Sequence, residues 1–567
     1  MQKAFFLFLL VLLVAVSMVP RLAGLDKFAT LDESYWIREG ANFYYALGHR
    51  HFEDTVFEYN PAITDLWCVT GGMLVYFPNY LSLEQGYLNK GRFDLFLPKY
   101  GKSDMGLLFY GRLVKVVLTV MGLLIAFFLL RDLFGNPAAF FTTMLISLSP
   151  FFLGFSRVLN QEATMGLSLL ISLLGLTVYF FKKRNILLLL LSAVAGALAQ
   201  LSKSSGFLFF PAVGLILIFY LVETRAEFSR NSVFAVIKSL GVWILAFVGA
   251  YFLFWPGMWV APGLMLYNVY GNAVSFALLG SRLSVSGAQH VTLTYWQDAI
   301  RQLGTFVLQM LWHTTPLTWI GLILGILMLF VRKDESSRHV YRWVVVYLAI
   351  LAALFMVFFS VARGRVSQHY ILTSYICIDT IAGLGWSSLL LLVSKKWPER
   401  FRAWIMGSIL TLLVALQVVS VWGSYPYYYT YLDPLMELAP AAAKNILYNY
   451  PSYGEGLDQV ATYLSQKPDA SKLRVTSYCG YGCLSYLFAG TTLTINDLSL
   501  VNPDPATMDN VRISDYVVLD HQLQYADNDL EGFTGLLPEK VIWINEIEHL
   551  DIYRAADLIE RINSNLH

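Results

Sequence analysis

The chain has 567 residues, of which 57% are hydrophobic and only 14% are charged, and its mean hydropathy is +0.55. This composition excludes an ordinary soluble protein and indicates a polytopic membrane protein. The formal net charge of +1 gives no global field that would attract nucleic acid, and we find no nucleic-acid-binding motif.

The first element is an apolar run from Phe5 to Pro20. It is about long enough to cross a hydrocarbon layer of ~30 Å, and because no small-residue cleavage site follows it, we interpret it as a retained signal anchor. Asp32 and Glu33 come soon after it, near one membrane face. A carboxylate there could accept a proton from an acceptor hydroxyl as a bond to an anomeric carbon forms. The alternative is a solvated or helix-capping acidic pair.

Hydropathy predicts eleven spans, at about 4–22, 110–131, 137–155, 163–182, 185–201, 204–222, 234–255, 315–331, 340–361, 369–393 and 403–422. The short basic clusters all fall on one side if the N-terminus is cytoplasmic. The chain is then a multi-pass plasma-membrane protein. Its outer segments are 23–109, 156–162, 202–203, 256–314, 362–368 and everything after about 423.

Two domains follow from this pattern: a transmembrane domain, 1–422, and an extracytoplasmic α/β domain, 423–567. The large first outer loop, 23–109, contains a short apolar stretch, 62–77, which we expect to be an interfacial or re-entrant helix. In the second domain the patterns predict a helix at 456–466 and strands at 473–477, 516–519, 541–544 and 551–553. Cys479 and Cys483 could form a disulfide there, and free thiols are the alternative.

Short outer loops carry further charged residues. Arg157 and Glu162 place a base and an acid between the third and fourth spans, where a helix-terminal carboxylate with a snorkelling arginine is the alternative. Lys203 opposes the positive-inside trend and suggests an anionic partner such as a lipid phosphate, although it could also snorkel to any head group. Arg363 and Arg365 could bind phosphate oxygens with two guanidinium groups, unless this basic loop faces inward.

A metal site is an open alternative in the first outer loop. His49, His51, Glu53 and Asp54 could bind a divalent cation, but their spacing matches no specific metal motif. Asn60 lies before Pro61, which suits a helix start.

These segments resemble the GT-C membrane glycosyltransferases of the protein O-mannosyltransferase and aminoarabinose transferase type (glycosyltransferase family 39-like). The resemblance covers most of the membrane part. Asp32-Glu33 is similar to the family's Asp-Glu motif in the first outer loop. Asn60-Pro61-Ala62-Ile63-Thr64 with Trp67 is similar to its His-Pro motif, with Asn60 in place of the histidine.

Other matching segments follow along the chain. Arg157 with Glu162 resembles the family's Arg…His-Pro-Asp-type loop, with Asn160 and Glu162 in place of His and Asp. Leu201-Ser202-Lys203 resembles the Thr-Lys-Gly-like hairpin. Tyr370-Ile371-Leu372 resembles the Arg-Tyr-x-Leu-Pro segment, with His369 and Thr373 in place of Arg and Pro. Gly454-Glu455-Gly456-Leu457 and Asp515-Tyr516-Val517-Val518-Leu519 resemble segments of bacterial members that carry an extra external domain.

The resemblance implies a GT-C-like fold and an inverting transfer of a sugar from a polyprenyl-phosphate donor to a protein, lipid or glycan acceptor on the outer membrane face. It implies three groups of site residues: catalytic Asp32, Glu33 and Glu162; donor-phosphate-binding Lys203, Arg363 and Arg365; and supporting Arg157, Asn60, His369 and Tyr370. Nothing in it requires a cofactor, and a divalent metal ion stays an open alternative.

Three other functions remain open. A polysaccharide ligase or polymerase with a lipid-diphosphate donor would also need outer acids and cations. A lipid or sugar transporter would place ionisable residues near the bilayer centre, whereas the predicted spans are nearly free of charge there. The last alternative is a non-catalytic envelope scaffold whose external domain binds a partner.

Overall fold

The computed structural model describes residues 2–57, 62–83, 96–223, 230–279, 296–331, 335–362, 367–435, 453–495, 505–521 and 535–565. The chain forms two compact units. Unit 1 comprises Met1–Ala23, Phe43–Cys68 and Val114–Tyr429. Unit 2 comprises Gly24–Asn42, Val69–Leu113 and Thr430–His567.

Unit 1 is helical, as expected for apolar runs whose backbone polar groups must be paired within the segment. Its helices are Gln2–Leu22, Asn136–Ser147, Pro150–Phe155, Gln161–Phe181, Ile186–Ser202, Phe210–Glu223, Arg230–Phe254, Gly257–Val260, Pro262–Leu266, Asn272–Leu279, Trp296–Trp312, Pro316–Val331, Glu335–Val361, Leu372–Ser394 and Glu399–Trp422. Three helices divide between the two units: Glu33–His49, Ile63–Tyr76 and Asp104–Phe134.

The predicted polytopic helical domain is confirmed, but the number of spans differs. Within the described residues, 7 helices are long and apolar enough to cross a membrane, or up to 8 if one bent pair counts as a single span. Segment 137–155 is not one helix, because Pro150 starts a new helix after Ser147. Phe6–Leu22 and Ile186–Ser202 are apolar but shorter. The helix expected at 62–77 is present as Ile63–Tyr76.

Several helices of unit 1 were not predicted, and the longest of them lies in the segment 256–314. Trp296–Trp312 falls in the segment expected to be an outer loop, and it makes an angle of 111° with Pro316–Val331. Gln, Asp and Arg are interspersed among its apolar residues, so it is amphipathic and does not form the continuous apolar run by which the spans were predicted.

The C-terminal part of unit 2 contains a five-stranded sheet, which confirms the predicted α/β domain. The strands are β1 (Arg474–Ser477), β2 (Thr491–Thr494), β3 (Tyr516–Asp520), β4 (Lys540–Ile544) and β5 (Ile547–Arg554), in the order β2-β1-β3-β5-β4. β1 is parallel to β2 and β3, whereas β5 is antiparallel to β3 and β4. The sequence analysis missed β2, a short strand of threonines and one leucine.

Side chains of the sheet alternate between two cores, as the two-residue period of a strand requires. Val518 and Ile552 face one core, with helix Leu457–Ser465. Val517 and Tyr553 face the other, where the helices are Pro505–Arg512 and Ala555–Asn565. The sheet therefore has helices on both faces. Cys479 and Cys483 form a disulfide after β1, while Cys68 and Cys377 are free and buried.

Candidate active site

Asp32 and Glu33 are neighbours in sequence, but their environments in unit 2 are opposite. Asp32 is exposed, whereas Glu33 is fully buried at the first residue of helix Glu33–His49. The Thr30 backbone N–H and hydroxyl each donate a hydrogen bond to Glu33 Oε2 at 2.9 Å. Glu33 thus reaches back three residues to Thr30, which is the spacing of the glutamate in a capping box, although this helix begins at Glu33 itself.

Arg112 neutralises Glu33. Its Nε donates to Glu33 Oε1 at 2.7 Å, and its second terminal nitrogen donates to Oε2, so the pair is bidentate. The remaining terminal nitrogen of Arg112 donates to the Leu25 carbonyl at 2.6 Å. Because both partners are buried, removal of one would leave an uncompensated charge in the interior. Glu33 therefore fixes the backbone that carries Asp32.

Residues of the C-terminal region hold Asp32 in place. The Tyr453 hydroxyl donates to Asp32 Oδ2 at 3.0 Å, and Leu31 packs against the core that contains Leu457. Gly454 has φ +99, and a Cβ there would lie 2.4 Å from the Ala29 carbonyl oxygen, so only glycine permits this approach. Burial and the charges of Asp520 and Asp32 raise the pKa of Tyr478, which stays a neutral phenol at pH 7.

Unit 1 contains a second group of predicted site residues, which we call the Glu162 cluster: Glu162, Lys203, His369 and Tyr370. Lys203 donates to Glu162 Oε1, and His369 Nε2 lies 3.6 Å from the same oxygen. The Lys203 ammonium lies 4.2 Å from the centre of the Tyr370 ring. Glu162 Oε2 is buried and has no hydrogen-bond partner among the described residues. The cluster thus combines one carboxylate with one ammonium, one imidazole and one phenol ring.

Local structure explains why these residues meet. Asn160 is the N-cap of helix Gln161–Phe181, and its side chain accepts hydrogen bonds from the backbone of Glu162 and Ala163. Glu162 is therefore in the first turn of this helix, where a negative charge is favourable. Lys203 follows directly after helix Ile186–Ser202, in an extended conformation.

A buried ion pair in unit 1 was missed by the sequence analysis. Lys115 pairs with Asp65 and donates to the Asn160 carbonyl at 2.8 Å, so it holds the loop that begins the helix of Glu162. A signal was present: Asp65 interrupts the apolar stretch 62–77, and Arg112 and Lys115 are one helical turn apart in an apolar helix.

Arg157, predicted as a supporting residue, is buried and bonded to the backbone. It donates to the carbonyls of Pro426, at 3.1 Å, and of Ala23, and its guanidinium lies 5.4 Å from the centre of the Tyr428 ring. These contacts favour a positioning role. Asn60, Arg363 and Arg365 lie outside the described residues.

The loose metal-ligand group of the first outer loop is only partly assembled. His51 Nδ1 lies 3.9 Å from Asp54 Oδ2, and both side chains are exposed. His49 instead stacks on Tyr45, with ring centres 4.0 Å apart. The described residues that bring three metal-ligating side chains together are His521, Glu548 and Asp551, in the C-terminal sheet.

Comparison with known proteins gives one family match. Residues 105–255, about a quarter of the chain, match the family model described as dolichyl-phosphate-mannose-protein mannosyltransferase. The matched segment contains Arg112, Lys115, Glu162 and Lys203, and Asp32 lies before it. No curated protein matches the chain in sequence.

Solved structures also align with the chain. ArnT from Cupriavidus metallidurans bound to undecaprenyl phosphate has 13% identity and a TM-score of 0.44, with 96% of this chain and 97% of that chain covered. The archaeal oligosaccharyltransferase AglB from Archaeoglobus fulgidus, in complex with an inhibitory peptide and a dolichol-phosphate, has 13% identity and a TM-score of 0.48. The alignment covers 92% of this chain and 70% of that chain.

The family match supports a membrane glycosyltransferase as the general class of this protein. The resemblance inferred from the sequence is thereby confirmed, and over residues 105–255 this chain is similar to the dolichyl-phosphate-mannose-protein mannosyltransferases.

Proposed function

We propose that this integral membrane protein transfers a sugar from a polyprenyl-phosphate donor to a hydroxyl group of a protein, lipid or glycan acceptor. One observation carries the proposal: Asp32 is exposed, while Glu33 beside it is buried and neutralised by Arg112. The chain thus presents one ionisable carboxylate to solvent on a rigid support. The family match over residues 105–255 supports the donor class.

Asp32 is the proposed general base. Its carboxylate takes the proton of the acceptor hydroxyl, and the acceptor oxygen forms a bond to the anomeric carbon. The bond between that carbon and the phosphate oxygen breaks at the same time, and polyprenyl phosphate leaves with the electron pair. Attack opposite to the leaving group inverts the anomeric configuration. The hydrogen bond from Tyr453 orients the Asp32 carboxylate for this step.

Lys203 is the proposed donor-phosphate ligand. Phosphate is already a good leaving group, so cations that stabilise its developing charge matter more than a general acid. Glu162 holds the Lys203 ammonium in place before the donor binds, and His369 Nε2 lies 3.6 Å from the same carboxylate oxygen. Arg363 and Arg365 are proposed to complete the phosphate site, with Asn60, Arg157 and Tyr370 as supporting residues and Glu33 as a positioning residue.

The proposed orientation places the N-terminus in the cytoplasm and the C-terminal domain outside. It can be tested with single cysteines, since Cys68 and Cys377 are buried and Cys479 and Cys483 are paired. Lys472→Cys should react with an impermeant thiol reagent in intact cells. Lys183→Cys, at a position that is also exposed but lies in a predicted inner loop, should react only after lysis. The reverse pattern would overturn the orientation.

The function is tested with purified full-length protein and synthetic polyprenyl-phosphate and polyprenyl-diphosphate sugars. We expect glycosylated product from the monophosphate donor, and a decrease of about 10²- to 10⁴-fold in Asp32→Asn. Asp26→Asn is the matched control, because Asp26 is another exposed carboxylate of the same outer loop. Full activity in Asp32→Asn would show that Asp32 is not the general base. Turnover of the diphosphate donor alone would indicate a ligase or polymerase, and donor movement without product would indicate a transporter.

A further inference from the structure

A group of metal-ligand side chains lies at one end of β3 and β5, among residues that the proposed transfer does not use. His521 follows directly after Asp520, the last residue of β3. Asp520 pairs with Leu550 of the antiparallel strand β5, so His521 comes next to the segment of β5 that contains Glu548 and Asp551. The sheet register therefore brings one imidazole and two carboxylates together.

An irregularity in the sheet contributes to this arrangement. Ile542 of β4 pairs with Leu550, but the next residue, Trp543, pairs with Glu548, so His549 is an extra residue in β5. Such a bulge re-aims the side chains around it, and bulges occur preferentially beside functional sites. Without the bulge, Glu548 and Asp551 would point to opposite faces of the sheet, because side chains alternate along a strand.

The ligand atoms are close enough for one ion. His521 Nε2 lies 3.0 Å from Asp551 Oδ2 and 3.8 Å from Glu548 Oε1, and one ligand atom from each residue lies within 4.8 Å of the others. Two ligands that are each about 2.0–2.2 Å from a zinc ion are separated by distances of this order. The Tyr553 hydroxyl donates to Asp551 Oδ2 at 3.0 Å, an outer-shell contact of the kind that orients a ligating carboxylate.

A buried polar atom at this place gives independent evidence for a ligand. Asp551 is only 2% exposed. Its Oδ1 has no hydrogen-bond partner within the described part of the chain. A buried carboxylate oxygen is costly without a partner. The His521–Asp551 hydrogen bond uses Oδ2 and leaves Oδ1 unsatisfied, so it does not account for the whole cluster.

We propose that His521, Glu548 and Asp551 bind a divalent first-row transition-metal ion, with Zn²⁺ as the best fit. Imidazole nitrogen is a good ligand for zinc and a poor one for the hard cations Ca²⁺ and Mg²⁺, which take oxygen ligands. Three protein ligands leave one tetrahedral position for water. The ion joins the end of β3 to β5 in the C-terminal domain, and none of its three ligands has a role in the proposed transfer.

The test uses full-length protein in detergent, depleted of metal with a chelator and then titrated with Zn²⁺ against a zinc indicator. We expect one Zn²⁺ per chain, with affinity lowered at least about tenfold in His521→Ala and in Glu548→Gln. Glu548→Gln conserves volume at a partly exposed position, so we expect this variant to fold. A weaker affinity in it would then report the loss of a ligand and not misfolding. Far-UV circular dichroism and the intact Cys479–Cys483 disulfide check the fold of each variant.

The matched control is His51→Ala with Asp54→Asn, which removes the exposed histidine–carboxylate pair of the first outer loop. This variant should bind Zn²⁺ like the wild type. Three results would overturn the proposal: no stoichiometric binding by the wild type, unchanged binding by both site variants, or loss of binding in the control alone. None of these results depends on transferase activity, so failure here is distinguishable from failure of the proposed function.

Discussion

Two acidic residues near helix starts differ in how the chain uses them. Glu33 begins helix Glu33–His49 and is buried against Arg112, with Asp32 exposed beside it. Glu162, in the first turn of helix Gln161–Phe181, is also buried but is shared by Lys203 and His369, and its Oε2 has no partner among the described residues. Both oxygens of the Glu33 carboxylate accept hydrogen bonds, and Glu33 fixes the backbone next to Asp32. The Glu162 carboxylate has one oxygen without a partner among the described residues, and its lysine is partly exposed.

The geometry of an ion pair therefore indicates whether its carboxylate positions other residues or can take part in substrate binding. A bidentate, fully buried pair has no spare hydrogen-bonding capacity for a substrate, so its loss should affect folding first. Glu162 contacts the Lys203 ammonium through one oxygen, and the Lys203 side chain is 12% exposed, so the ammonium can also bind an incoming phosphate.

The largest effect on stability is expected for Glu33→Gln. It leaves the Arg112 charge buried without a counter-ion, which costs about 3–5 kcal/mol of unfolding free energy. The double variant Glu33→Gln with Arg112→Met should recover most of this loss. Asp32→Asn should change stability by only about 0.5 kcal/mol, since Asp32 is exposed. Thermal unfolding in detergent measures all three, and equal destabilisation by Asp32→Asn and Glu33→Gln would contradict the distinction.

A somewhat smaller loss, about 3 kcal/mol, is expected for Lys203→Gln, because it removes the ammonium of the buried Glu162 and leaves only His369, 3.6 Å away, beside that carboxylate. Adding Glu162→Gln should restore stability but not donor binding. The loss of a charged contact to phosphate corresponds to a rise of about tenfold or more in KM for the polyprenyl-phosphate donor. Steady-state kinetics of the stable double variant give this value. A normal KM would show that Lys203 serves Glu162 alone.

Acid should destabilise the C-terminal sheet through Glu539. Burial alone would raise the pKa of this carboxyl, but hydrogen bonds from Lys467, Tyr463 and Arg554 outweigh it and lower the pKa to about 2 from its ordinary 4.5. The contribution to stability is therefore fully present above about pH 4.5 and is lost as the pH falls towards 2. Unfolding at pH 6 and pH 3 should show a smaller pH dependence in Glu539→Gln than in the wild type. The same pH dependence in both proteins would contradict this.

The smallest effect is expected for Lys472→Gln. Lys472 lies 3.1 Å from Asp469, but the two side chains are 77% and 71% exposed, so the pair contributes roughly 0–1 kcal/mol. Its thermal unfolding should match the wild type. A loss as large as that of Glu33→Gln would show that burial does not determine which ion pairs matter in this protein.

Much of the architecture was predictable from local sequence. Long apolar runs predicted the helical membrane part, and short strand-like runs between helical pieces predicted β1, β3, β4 and β5. The span number was less accurate, since Pro150 divides one apolar run and the apolar helices Phe6–Leu22 and Ile186–Ser202 are shorter than the spans that were predicted there. Hydropathy averages over a window and does not register a helix break within it.

The sequence by itself determined the class of the protein and the identity of its charged residues, including Asp32, Glu162 and Lys203. The tertiary structure decided their environments: it buried Glu33 against Arg112, 79 residues away, and paired Asp65 with Lys115, 50 residues away. It also brought His521 to Glu548 and Asp551 through the register of two strands. Adjacent carboxylates have the same chemistry in an extended chain. Burial and long-range pairing, which depend on packing, assign them different roles.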